Sequence, residues 1–130
     1  MREGLAELLN HEADMVVCAK ASNAPEAIKA VKKQRIDLAI IDMLLSNTTG
    51  IDVIKKIKIL CPDILTLIFS MSDNSQYVKQ AIDAGARGYI TKDQISEEIV
   101  NAIRQVLIGQ IYISSKLHLS KKELGILLAG

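Results

Sequence analysis

The sequence predicts one α/β domain, a mostly parallel sheet covered by helices on both faces. Three observations carry that expectation. Short apolar runs alternate with segments of helical period up to about residue 114. Two runs, DLAIID (37–42) and ILTLIFS (64–70), have largely apolar interiors, as strands buried on both faces do. The apolar content is mostly Ile, Leu, Val and Ala, with three Tyr, one Phe and no Trp, which suits parallel strands under helices. The 130 residues are enough for one domain with one contiguous core.

The elements follow in order. Leu5, Leu8 and Leu9 sit at helical spacing, so residues 2–12 read as a helix. Residues 15–21, with β-branched Val16 and Val17, read as a strand. In 24–34, Pro25 suits a helix start, Ala27, Ile28 and Val31 share a face, and Lys32, Lys33 and Arg35 suit the negative end of the dipole. Strand 37–42 is followed by a polar loop, 43–50. Ile51, Ile54, Ile57 and Leu60 recur every three residues with lysines between them, an amphipathic helix broken by Pro62. Strand 64–70 leads to a loop at 72–75. Val78, Ala81, Ile82 and Gly85 give a helical face, and 87–90 is a short strand. After the loop 91–94, Ser96 is the candidate cap of a last helix that Gly109 ends.

Composition excludes several classes. Net charge is +1, so no basic field marks the whole chain for nucleic acid. No apolar stretch reaches the roughly 18 residues of a membrane helix, and no export signal is visible. The expected setting is the cytoplasm. Cys18 and Cys61 lack neighbours at metal-ligand spacing and read as reduced, mostly buried thiols. His11 and His118 read as solvated.

Open parallel sheets bind ligands beyond the carboxyl ends of their strands. Asp42, Ser70 and Lys92 each follow a strand. Taken singly, they are a cap residue, a turn former and a solvated lysine. Taken together, they suit phosphoryl transfer, with a carboxylate nucleophile, a hydroxyl donor and an ammonium that neutralises charge.

Four segments carry a family resemblance. DLAIIDMLLSNTTG holds Asp42 with Gly50 eight residues on, and LTLIFSMSD holds Ser70. AIDAGARGYITKD, residues 81–93, holds Tyr89 and Lys92, and EEIVNAIRQVLIGQIYIS resembles a last helix with the run after it. On these motifs, residues 1–114 resemble a response-regulator receiver domain of the two-component signalling family, of the LuxR/FixJ type. The resemblance implies a flavodoxin-like (CheY-like) fold. It implies that Asp42 accepts a phosphoryl group from a histidine kinase, and that Ser70, Tyr89 and Lys92 are the phosphoryl-binding and switch residues. It further implies Mg²⁺ held by Asp42 and the Leu44 backbone carbonyl, homodimerisation, and contact with DNA only through a C-terminal domain.

The chain departs from the pattern at both ends. The family begins with a strand ending in an acidic pair that helps hold Mg²⁺. Residues 1–5 here match the family's first helix, so the first strand and the acidic pair are absent from these residues. Glu3 and Glu7 are helical and poor substitutes. Weak or lost Mg²⁺ binding and phosphorylation are therefore expected. In the family's strand order, 2-1-3-4-5, the absent strand lies between 15–21 and 37–42. Those two then pair directly, accept a strand from a partner chain, or stay poorly ordered. A truncated chain or a misplaced start codon is the simplest account. Ser46 also stands where the family usually has Pro. Residues 119–123 resemble the opening of a LuxR-type helix-turn-helix domain, with Ser120 and Glu123 as a capping box. Residues 115–130 thus read as a linker and the start of a truncated DNA-binding domain that does not bind DNA alone.

Two other functions compete with the signalling module. One is a phosphorylation-independent pseudo-receiver that dimerises or binds a partner through the face between Val78 and Arg104. The other is a small α/β enzyme, against which stand the lack of a Gly-rich phosphate loop and of a His at a strand end.

Overall fold

The computed structural model describes residues 2–45, 47–72 and 74–114. Ser46 and the stretch 115–130, with its expected helix start, lie outside the described residues. Helix α1, Arg2–Asn10, buries Ala6 and Leu9. Helix α2, Ala24–Lys33, begins at Asn23, whose side chain accepts from Glu26 N at 2.9 Å, with Pro25 in the first turn. Strand β1, Leu38–Asp42, leads into a small hairpin of β2, Leu44–Leu45, and β3, Thr48–Thr49. Helix α3, Gly50–Leu60, is capped by Thr49 and buries Val53, Ile54 and Ile57. Strand β4, Leu65–Ser70, precedes α4, Ser75–Ala84, capped by Asn74 and ended by Gly85 at φ 119°. Strand β5, Gly88–Thr91, α5, Ile95–Leu107, and β6, Tyr112–Ile113, complete the order.

The main sheet is parallel throughout, in the order β1-β4-β5-β6. Side chains alternate across it, as the period of a strand requires. On one face Ile41, Ile68 and Tyr89 pack against α2, α3 and α4. On the other, Leu67 and Ile90 meet Leu9 of α1 and Ile95, Ile99 and Ile103 of α5. The result is the flavodoxin-like three-layer α/β architecture expected. Arg104 of α5 also grips the turn after α1, reaching Asp14 Oδ2 at 2.6 Å and Glu12 Oε1 at 2.8 Å. Its guanidinium holds the Asp14 carboxyl below the usual range.

Several expectations need correction. Residues 15–21 form no strand. They connect α1 to α2, and residues 15–20 alternate between half-buried and exposed. Among the described residues, no backbone hydrogen bond joins 15–19 to the outer edge of β1. Direct pairing of the two segments is therefore not what occurs. A cleft of about 1150 Å³ separates them, walled by both segments and lined from α1, α2 and α5 by Leu9, Val31 and Ile103. For the same reason β1 is not buried on both faces, and only Ile41 of its five residues is buried. Cys18 is exposed, because the segment carrying it has no sheet neighbour, and Cys61, at the end of α3, is half-buried. The loop 43–50 contains the β2–β3 hairpin, turned by Asn47 at φ 66°. Ser96 does not cap α5, which starts at Ile95 after Gln94 with no side-chain cap bond.

Candidate functional site

Parallel strands place their carboxyl ends along one edge. Asp42 ends β1, Ser70 ends β4, and Lys92 directly follows β5. The register sets Asp42 beside Phe69 and Ser70 beside Thr91. Lys92 Nζ lies 2.8 Å from Asp42 Oδ2, and its ammonium sits 5.5 Å from the centre of the Phe69 ring. Leu44 N donates to Asp42 Oδ1 at 3.0 Å. Both carboxylate oxygens are thus held, and each keeps a lone pair for another partner. The Asp42 and Lys92 side chains remain 26% and 20% exposed, so a reactant in water can reach them.

The two other expected residues are placed differently. Ser70 is buried and lines the same cavity, about 480 Å³, as Asp42 and Lys92. Its Oγ accepts from Ser72 N at 3.0 Å. Tyr89 is fully buried, and its hydroxyl donates to the Ser72 carbonyl at 2.7 Å. Ser70 and Tyr89 therefore meet at Ser72, in the loop after β4. Leu44, expected to offer a carbonyl, contributes its amide to Asp42 and is otherwise exposed.

This arrangement allows nucleophilic attack by a carboxylate whose charge is matched by one ammonium. The ion pair itself adds little stability, being open to water. Replacing Lys92 with Ala should cost about 1 kcal/mol or less in denaturant unfolding. Any phosphoryl transfer to Asp42 should slow by at least roughly tenfold, because the charge opposite the developing phosphoryl oxygens is lost.

The described residues do not fit a Mg²⁺ ion by themselves. Among them no group of three or more His, Cys, Asp and Glu side chains is placed to hold a metal. Asp52, the other carboxylate lining the cavity, faces Thr48 Oγ1 at 3.4 Å. A small hard cation needs about six oxygens in fixed geometry.

Sequence reasoning missed a second polar cluster. Glu98 is buried on α5, Tyr112 Oη donates to its Oε1 at 2.5 Å, and Ser114 Oγ donates to its Oε2 at 3.0 Å. Burial first, and the Glu98 carboxylate second, push the Tyr112 hydroxyl up to about 12. A signal was available: Glu98 falls on the apolar stripe of Ile95, Ile99 and Ala102, where a carboxylate must find partners.

Comparison with known proteins shows the family. The response regulator receiver domain family matches residues 1–104. The oxygen regulatory protein NreC of Staphylococcus epidermidis is 34% identical over 118 residues, 90% of this chain and 54% of that protein. The chain thus spans about half the length of that relative. A LuxR-family two-component response regulator from Aurantimonas superimposes with a TM-score of 0.89 at 30% identity, over 96% of this chain and 89% of that one. A response regulator from Burkholderia pseudomallei, solved with a phosphorylated aspartic acid and a calcium ion, gives 0.70 at 26% identity, over 78% of this chain and 58% of that one.

Proposed function

This chain belongs to the response-regulator receiver domain family, and from that premise we propose that Asp42 is its phosphoacceptor, charged by a histidine kinase. One observation carries the proposal: the Asp42 carboxylate stands at a strand's carboxyl end, held by the Leu44 amide and the Lys92 ammonium at the mouth of an open cavity. A carboxylate oxygen forms the new O–P bond as the N–P bond of a phosphohistidine breaks, and the proton the imidazole needs comes from solvent. Lys92 balances the charge that arrives. Ser70 turns its hydroxyl from Ser72 toward a phosphoryl oxygen. Tyr89, fastened to the same Ser72, registers that change and passes it to the surface of residues 74–93. The phosphorylated aspartic acid of the Burkholderia relative supports this reading by likeness.

We place residues 1–114 as the receiver unit and 115–130 as the lead into a following DNA-binding domain. Its setting is then the cytoplasm, and its partners are a histidine kinase, a second copy of the chain, and DNA through that further domain. A receiver of this kind is a switch, not an enzyme with a turnover of its own. Among the described residues no helix is long and apolar enough to cross a membrane.

The poor fit to Mg²⁺ gives weight to one restriction: phosphorylation of these 130 residues alone is slow. Treating the chain with acetyl phosphate and measuring intact mass tests it. The expected result is weak labelling that Mg²⁺ barely raises and that Asp42→Asn abolishes. Efficient Mg²⁺-dependent labelling would contradict the restriction, and labelling that survives Asp42→Asn would contradict the assignment of the acceptor.

A further inference from the structure

The Glu98 cluster lies at the edge of the sheet opposite β1, where the chain leaves the domain. Strand β6 has two residues and is joined to its neighbour by Tyr112 N to Arg87 O at 3.0 Å and Ser114 N to Tyr89 O at 2.9 Å. So short an edge strand is marginal on backbone pairing alone. Its side chains supply the rest. Both oxygens of Glu98 are taken by hydroxyls of this segment, from Tyr112 and Ser114. Ser114 Oγ also lies 3.3 Å from Thr91 Oγ1. Ser114 and Thr91 are almost wholly buried.

A buried carboxylate is a costly way to pack a helix on a sheet, since an apolar residue at 98 would serve as well. What the carboxylate adds is direction, because charge-assisted hydrogen bonds hold two named hydroxyls in one place. The first turn of α5, where Glu98 sits, favours its negative charge. Thr91, which touches Ser114, is the residue before Lys92, and Lys92 is paired with Asp42. The cluster is thus one peptide bond from the acceptor site, and the chain continues from Ser114 toward Gly130.

We infer that Glu98, Tyr112 and Ser114 form a latch that fastens the segment leaving the domain to the end of β5, and that the Asp42–Lys92 pair sets its strength through Thr91. With Lys92 held at Asp42, Thr91 stays against Ser114 and the latch is closed. When Lys92 is released or drawn elsewhere, Thr91 moves, Ser114 loses a partner, and β6 loosens. Glu98 is a positioning residue here. The inference does not require Asp42 to be phosphorylated, so it stands or falls apart from the acceptor assignment.

Hydrogen–deuterium exchange on the 130-residue chain tests it, read peptide by peptide. Glu98→Ala should speed exchange over 110–114 by about tenfold and leave β4 unchanged, and Glu98→Gln should recover part of the protection. Asp42→Asn, which removes the charge that holds Lys92, should speed exchange over 110–114 by a few fold in the otherwise unaltered chain and add nothing in the Glu98→Ala background. Equal loosening of β4 and 110–114 in Glu98→Ala would reduce Glu98 to a general packing role and overturn the latch. Unchanged exchange at 110–114 in Asp42→Asn would overturn the coupling. Should Glu98→Ala fail to fold, the comparison of Glu98→Gln with Asp42→Asn decides the same questions.

Discussion

Supplying an apolar β-strand to the cleft between residues 15–21 and β1 should raise the melting temperature by roughly 10 °C. The strand is tested as an N-terminal extension, about five residues long to match the five of β1. One wall of the cleft is strand β1 and the other is the segment 15–21, and among the described residues the outer edge of β1 has no backbone partner. Helices cover it above and below, through Leu9 and Ile103 on one face and Val31 on the other. Leu38 and Ile40 of β1 and Met15 and Val17 opposite are only half-buried. A strand laid between them would complete the burial of these side chains and bury its own. Net of the ordering entropy, a gain of about 3 kcal/mol follows at 25 cal/mol per Å² of apolar area. A scrambled polar extension of equal length is the control. An unchanged melting temperature, or an equal rise with the control, would show that the cleft is not a strand site.

The second large effect is expected at Gly50. A Cβ built there would lie 2.4 Å from the Asp42 carbonyl oxygen, 3.0 Å from Ile68 Cδ1 and 3.1 Å from the Asp42 carbonyl carbon. Two of these are backbone atoms of Asp42, so no side chain can swing aside to make room. Gly50 N also donates to the Met43 carbonyl at 2.7 Å, which ties the start of α3 to the chain leaving β1. Gly50→Ala must therefore push α3 away from β1, at a cost of about 3 kcal/mol and roughly 10 °C in melting temperature. The shift also spoils the turn that brings Leu44 N to Asp42. The same substitution at Gly4 has nothing within 4 Å to meet. On the exposed face of α1 it should stabilise the protein by about 0.5–1 kcal/mol through helix propensity. Thermal unfolding of both variants reads the contrast. A Gly50→Ala variant that melts with the parent would refute the close approach.

How much was legible in advance depends on which forces act locally. The helices follow from their apolar period, and β4 and β5 from apolar runs between turn signals. Asp42 and Lys92, 50 residues apart, meet because parallel strands end on one edge, which the alternation of elements already implies. Residues 15–21 have the composition of a strand, but a strand also needs a neighbour, and pairing is not written in local composition. The β2–β3 hairpin was not legible because two-residue strands have no period to detect. The engagement of Ser70 and Tyr89 with Ser72 depends on backbone positions in a loop. The Glu98 cluster joins residues 14 and 16 apart across a turn, and only the misplaced charge on an apolar stripe hinted at it.

Central to the proposed function is Asp42 as a phosphoacceptor whose surroundings these residues only partly build. Extending the chain with an apolar strand that ends in two acidic residues tests both halves. A strand parallel to β1 would end beside Asp42 and bring the oxygens that a Mg²⁺ ion requires. Peptide mapping after treatment with acetyl phosphate and Mg²⁺ then locates the phosphoryl group. The account predicts Mg²⁺-dependent labelling on Asp42, well above that of the unextended chain. A filled cleft with no phosphoryl group on Asp42 would contradict it.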